Sequence, residues 1–222
     1  IQFGQLISTS DLKISADQNA LIVRVGDGGD EFRLEGFNPD DVYGNHAVGT
    51  FRFADGTVIS YSELIDYGFT FTGQAGDDTL NGTNGKDNFF GDKGNDSLSG
   101  GMGDDSYLFM QGDGIDVIND VSSPGQLNSI GFGAGITLSD IKLGHDLNNK
   151  ELIISVGSSG DAVRLKNFNA DDPYGAHVVE YFVFVNGQTL TYNQLIDRGF
   201  DVPGTENDDD LVGTAAIDRI SG

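Results

Sequence analysis

Between residues 73 and 119 the sequence returns to one pattern every nine residues, and no other feature restricts the fold as much. The first turn is Gly73-Gln74-Ala75-Gly76-Asp77-Asp78-Thr79-Leu80-Asn81 and the second Gly82-Thr83-Asn84-Gly85-Lys86-Asp87-Asn88-Phe89-Phe90. The third is Gly91-Asp92-Lys93-Gly94-Asn95-Asp96-Ser97-Leu98-Ser99 and the fourth Gly100-Gly101-Met102-Gly103-Asp104-Asp105-Ser106-Tyr107-Leu108. After Phe109 and Met110 a fifth follows, Gln111-Gly112-Asp113-Gly114-Ile115-Asp116-Val117-Ile118-Asn119. The fourth position is always Gly, the sixth always Asp and the eighth always apolar. A flexible Gly/Asp linker has no reason to place an apolar residue every nine positions. The pattern predicts short strands that each send one side chain (Leu80, Phe89, Leu98, Tyr107, Ile118) into a core.

The remaining slots point to a hard cation. Glycines allow positive φ and close backbone approach, which turns carbonyl oxygens toward a common point. The sixth-position Asp adds a carboxylate there. Oxygen ligands without His or Cys suit calcium, which takes six to eight oxygens at about 2.3–2.6 Å, whereas magnesium demands a tighter octahedron. Composition agrees. Of 35 acidic residues only Glu31, Glu35, Glu63, Glu151, Glu180 and Glu206 are Glu, so 29 are Asp, beside 33 Gly. The net charge of −23 and 12 scattered basic residues disfavour nucleic acid, which needs clustered Lys and Arg, and an anionic membrane surface. There is no Cys, so disulfides and thiolate metal sites are excluded. No apolar run is long enough to span a membrane.

A second, longer repeat surrounds the first. Leu21-Ile22-Val23-Arg24-Val25 matches Leu152-Ile153-Ile154-Ser155-Val156, Asp40-Asp41-Val42-Tyr43-Gly44-Asn45-His46 matches Asp171-Asp172-Pro173-Tyr174-Gly175-Ala176-His177, and Leu64-Ile65-Asp66 matches Leu195-Ile196-Asp197, all at an offset of 131. Ile1-Gln2-Phe3-Gly4 matches Ile130-Gly131-Phe132-Gly133 and reads as a strand entered in mid-course. Within a copy, residues 20–25, 31–34, 50–53 and 57–59 read as strands of antiparallel hairpins. Asp55-Gly56 marks a tight turn. Each copy ends in a short helix opened by a capping box, Ser60 to Glu63 and Thr191 to Gln194, and closed by Gly68 or Gly199.

The nonapeptides resemble the RTX repeats of type I-secreted bacterial proteins. The flanking copies resemble the haemolysin-type calcium-binding-related domain, on Leu21 to Val25, Phe51 to Val58 and Phe109 to Asp120. The resemblance implies an all-β fold, an RTX parallel β-roll flanked by mainly antiparallel β modules that each end in a short helix. The expected order is a module at 1–68, the roll at 69–121, the second module at 122–200 and the start of a further RTX block at 201–222, where Gly204 to Val212 resembles a first turn. In the family two nonapeptides make one coil, so turns n and n+2 stack with calcium between them. Carried over, the candidate metal residues are Gly73, Ala75, Gly76 and Asp78; Gly82, Asn84, Gly85 and Asp87; Gly91, Lys93, Gly94 and Asp96; Gly100, Met102, Gly103 and Asp105; and Gly112, Gly114 and Asp116. Sites then join Asp78 with Asp96, Asp87 with Asp105, and Asp96 with Asp116, the last across the Phe109-Met110 insertion.

Asp40, Asp41 and His46, with their counterparts near His177, could form a metal or catalytic cluster. Asx turns with His packed on Tyr explain them more simply. No nucleophile motif, phosphate loop or zinc-protease motif occurs, so an enzyme is not expected. The expected function is a calcium-triggered folding and structural module of a secreted, extracellular, toxin- or adhesin-like bacterial protein. The alternative is an adhesive repeat whose modules hold a glycan or cell-surface partner.

Overall fold

A computed structural model describes residues 1–121, 125–204 and 211–221. The first module contributes β1 (Leu12–Ala16), β2 (Ala20–Val25), β3 (Asp30–Glu35), β4 (Thr50–Arg52), β5 (Val58–Ser60) and helix α1 (Tyr61–Ile65). The central repeats follow as β6 (Phe69–Thr72), β7 (Thr79–Asn81), β8 (Asp87–Phe90), β9 (Ser97–Ser99), β10 (Ser106–Phe109) and β11 (Ile115–Ile118). The second module contributes β12 (Ser129–Phe132), β13 (Ile141–Asp146), β14 (Glu151–Val156), β15 (Asp161–Leu165), β16 (Tyr181–Phe184), β17 (Thr189–Thr191) and α2 (Tyr192–Ile196). The described chain closes with β18 (Phe200–Pro203) and β19 (Asp218–Ser221).

Successive repeat strands alternate between two sheets, and every second strand pairs in parallel. The register Phe71↔Phe89 and Phe89↔Tyr107 runs through one sheet, and Leu80↔Leu98 and Leu98↔Ile118 through the other. This is a parallel β-roll, and its eighth-position residues form the two columns that meet in its core. Stacking is dense where the column is aromatic: Phe89 lies 5.3 Å from Phe71 and 5.0 Å from Tyr107, ring centre to ring centre. The Phe109-Met110 insertion is taken up at the end of β10 and in the loop after it, and β11 still returns to β9 with a step of 20 instead of 18.

Both modules continue these sheets. The strand order is β17-β16-β12-β10-β8-β6-β1-β2-β3 in one sheet and β19-β18-β13-β14-β15-β11-β9-β7 in the other. The core columns pass without a break into the second module, as Tyr107↔Ile130↔Phe182 and Ile118↔Leu165↔Leu152. The roll thus shares one buried cluster with the second module, and partly buried Phe71 joins it to the cluster of the first.

The modules have the same design. Each packs a meander of three strands, β1 to β3 or β13 to β15, with the Val23↔Phe32 register repeated as Ile154↔Val163. The first hairpin is two residues longer in the second copy, where Ile14↔Val23 becomes Leu143↔Ile154. Both capping boxes form, and Gly68 and Gly199 close their helices at φ +81° and +79°.

The aromatic column should dominate stability. Phe89 is 1% exposed, so Phe89→Ala is expected to cost about 3–5 kcal/mol of unfolding free energy in calcium. Phe90→Ala, at a side chain 37% exposed on the outer face, should cost well under half as much. Urea denaturation of the two variants checks the ratio; equal losses would contradict the register.

Candidate metal centre

The turns before the strands carry two columns of carboxylates. In the first, the Asp78 amide donates to Asp96 Oδ1 (2.8 Å), and the Asp96 amide to Asp116 Oδ1 (3.1 Å). In the second, the Asp87 amide donates to Asp105 Oδ1 (2.9 Å), and the Asp105 amide to Asn128 Oδ1 (2.8 Å). All three expected pairs are therefore brought together, including the pair that spans the insertion. Asp96, Asp105 and Asp116 each use one oxygen to hold the backbone of the turn below, which fixes where the other oxygen points.

That second oxygen behaves differently along the columns. In the early turns it closes its own loop, accepting from the Gln74 amide at Asp78 and from the Thr83 amide at Asp87, both at 2.6 Å. At Asp96 and Asp105, Oδ2 is fully buried and has no hydrogen-bond partner. A buried carboxylate oxygen left unpaired is costly. These two are aimed at the first-position glycines of their own turns, where any side chain on Gly91 or Gly100 would collide with them.

The glycines act mainly through close approach. A side chain on Gly73 would meet the Gly91 carbonyl, and one on Gly82 the Gly100 carbonyl, so first positions stack turn on turn. Fourth positions stack likewise, Gly76 under Gly94 under Gly114 and Gly85 under Gly103. Positive φ is confined to the later of these, Gly94, Gly103 and Gly114. The Ala75, Lys93 and Met102 side chains are exposed, so only their backbone carbonyls could serve as ligands. Asn84 is engaged by the first module: its amide donates to Pro39 O and its side chain to Asp40 O. Gly112 stands apart from the columns and donates its N–H to Asp161 Oδ2 (2.8 Å).

Burial raises the affinity of these carboxyls for protons. It pushes Asp87 and Asp116 up to about 7, and together with the facing charges of Asp87 and Asp120 it pushes Asp105 up to about 8. Asp96 and Asp113 rise for the same cause. Among the described residues no three His, Cys, Asp or Glu side chains converge as a ligand cluster. A cation here would be held by one carboxylate oxygen per turn and by stacked carbonyls. The unpaired Oδ2 atoms, the crowded glycine carbonyls and the lack of nitrogen or sulfur donors fit calcium.

Two participants escape the nonapeptide frame, and a third, Asp218, is the sixth position of a later turn. Asn128 takes the rung above Asp105 and is locked by Asp120 Oδ2 and the Val178 carbonyl. Asp120 also accepts from the Tyr107 hydroxyl (2.6 Å) and the Gly101 amide (2.7 Å), closing the last turn. Asp218 accepts from the Thr214 amide as Asp87 does from that of Thr83, an equivalence that the 131 offset could have revealed. The turn from Gly204 to Val212 lies largely outside the described residues.

The histidine loops have an internal explanation. His46 stacks on Tyr61 with ring centres 3.9 Å apart, and His177 on Tyr192 at 4.0 Å. Their Nδ1 atoms meet Gly44 O and Gly175 O at 2.8 Å. The neighbouring Tyr43 and Tyr174 instead donate to Asp66 and Asp197.

Family comparison matches the model of the RTX calcium-binding nonapeptide repeat to residues 72–107 and 203–222, and that of the haemolysin-type calcium binding protein related domain to 21–63 and 151–194. The chain carries calcium-binding RTX repeats alternating with haemolysin-type calcium-binding-related domains. No curated protein matches it. Among solved structures it is similar to the extracellular lipase LipA from Serratia marcescens, at 16% identity and a TM-score of 0.34. That alignment covers 87% of this chain but 31% of the lipase, and the likeness is too slight to carry an argument.

The carboxyl shifts set a pH dependence for the calcium-free RTX roll. An unfolded Asp titrates near about 3.9. Folded values of about 7 to 8 mean that the folded turns hold protons which the unfolded chain has released. Stability without calcium is thus fullest in acid and falls as pH rises through that range. In chelator, β circular dichroism should be stronger at about pH 5.5 than at about pH 8.5. A signal that strengthens toward alkaline pH would contradict the assignment.

Proposed function

We propose that this chain is a calcium-triggered folding and structural module of a type I-secreted, extracellular bacterial protein. The observation that carries the reading is the pair of buried, unpartnered oxygens on Asp96 and Asp105, each in a turn stacked on another carboxylate. Without a cation, the columns Asp78–Asp96–Asp116 and Asp87–Asp105 set like charges against one another, and the net charge of −23 adds self-repulsion. Bound calcium supplies neutralising charge and oxygen coordination between stacked turns. Because the site exists only when turns are stacked, binding and folding are one equilibrium. Extracellular sites commonly have dissociation constants of about 10⁻⁴–10⁻³ M. Such affinities leave the roll open in a low-calcium cytoplasm and closed outside, which suits a chain threaded through an exporter. The histidine rings are occupied in stacking, which favours a structural role over catalysis.

An adhesive role for the modules is the second reading. It draws on a shallow outer groove lined by Phe90, Leu108 and Met110, and binding to a glycan array would favour it.

Asp96 is shared by two rungs, whereas Asp78 ends its column. Asp96→Ala should therefore lose more calcium binding and more calcium-induced folding than Asp78→Ala. Calorimetric titration decides, and equal losses would show that the rungs do not share their carboxylates.

A further inference from the structure

The two copies of the module differ in one respect that their duplication does not explain. β15 is buried because it pairs in parallel with the last strand of the roll, β11, and its Ala162, Val163 and Leu165 are all in the core. Its counterpart β3 has the same register on β2 but ends the nine-stranded sheet, and none of its residues is buried. Among the described residues, β3 has no strand on its outer side.

We propose that β3, together with residues 1–4, is a docking surface for the closing turns of another RTX roll. The occupant is defined by what the second module already holds. Ala162 donates its amide to Gly114 O (2.9 Å), and Asp161 accepts from the Gly112 amide, so β15 reads both the strand and the preceding loop. At the 131 offset these positions are Glu31 and Asp30. Asp161 is buried under Gly112, whereas Asp30 is exposed, an acceptor kept where no donor faces it.

The second sheet makes the same demand. Gln2 bridges Arg52 in parallel, as Gly131 pairs with Val183. On its other side, Gly131 belongs to β12, which pairs with β10. Residues 1–4 therefore offer the edge that β10 fills in the second module, while β3 offers the edge that β11 fills. A lone peptide strand would satisfy one of these; the end of a two-sheeted roll satisfies both. This chain's own β10 and β11 are already covered by β12 and β15, so the closing turns must come from another roll than residues 73–119. Meanwhile Asp30, Glu31, Arg33 and Glu35 along β3 discourage unselective strand pairing. The modules would then act as couplings that close one roll and open the next.

The test extends the complete chain at its N terminus with a second copy of residues 69–129, reproducing the native 129–130 junction ahead of Ile1. It relies on the calcium reading only for folding of the added roll. Hydrogen exchange at Glu31, Arg33 and Glu35 is compared with and without the extension. In calcium the extension should slow exchange there at least tenfold, and chelator should abolish the difference. Asp30→Ala should weaken that protection in the extended chain and change nothing in the original. Unchanged exchange at 31–35 while the added roll is itself protected by calcium would overturn the docking surface and leave the calcium reading standing. An equal effect of Asp30→Ala in both chains would overturn it as well.

Discussion

From the third turn on, each sixth-position aspartate spends one oxygen on the backbone of the turn below, and most of the structure follows from that bond. It sets the stacking distance, brings the next carboxylate over the last, and crowds first-position glycines against carbonyls. The same bond leaves Asp96 Oδ2 and Asp105 Oδ2 buried without partners. The roll is therefore ordered by its aspartates and destabilised by them at once. The proposed dependence on calcium rests on this balance: an apolar core of one or two buried residues per strand set against several buried carboxylates.

The modules relieve this arrangement at its ends. The carboxylate column Asp87–Asp105 stops at Asn128, a neutral side chain in the next rung, fixed by Asp120 and Val178 O. The other column stops at Asp116, where β11 pairs with β15 of the second module. The apolar columns do not stop; they pass from Tyr107 to Ile130 and from Ile118 to Leu165. The carboxylate columns thus end at the boundary while apolar burial continues across it.

Much of this was legible in the sequence because it is periodic. The nine-residue frame gave the strands, the inward residues and the pairing of turns n and n+2, and the 131 offset gave two modules of one design. Capping boxes at Ser60 and Thr191 and the closing glycines are local signals that tertiary packing left intact. What escaped lies off the frame. Asn128 and Asp120 act through contacts between the last turn and the second module, and no spacing rule encodes them. His46 and His177 were expected to pack on Tyr, yet the partners are Tyr61 and Tyr192 of the helices instead of the adjacent loop tyrosines. The three-strand meander lies in the nine-stranded sheet in the first module and in the eight-stranded sheet in the second, a property of topology invisible to pattern.

The central claim is that the stacked carboxylates leave residues 73–118 unable to hold their fold without calcium, while the modules keep theirs. Hydrogen exchange followed by mass spectrometry on the whole chain addresses it directly, with residues 12–66 and 141–197 as internal references. In chelator, residues 73–118 should exchange as an open chain and the module strands should remain protected; millimolar calcium should close the roll, and equal magnesium should not. Equal protection of residues 73–118 in chelator and in calcium would contradict the account, even with calcium ions bound.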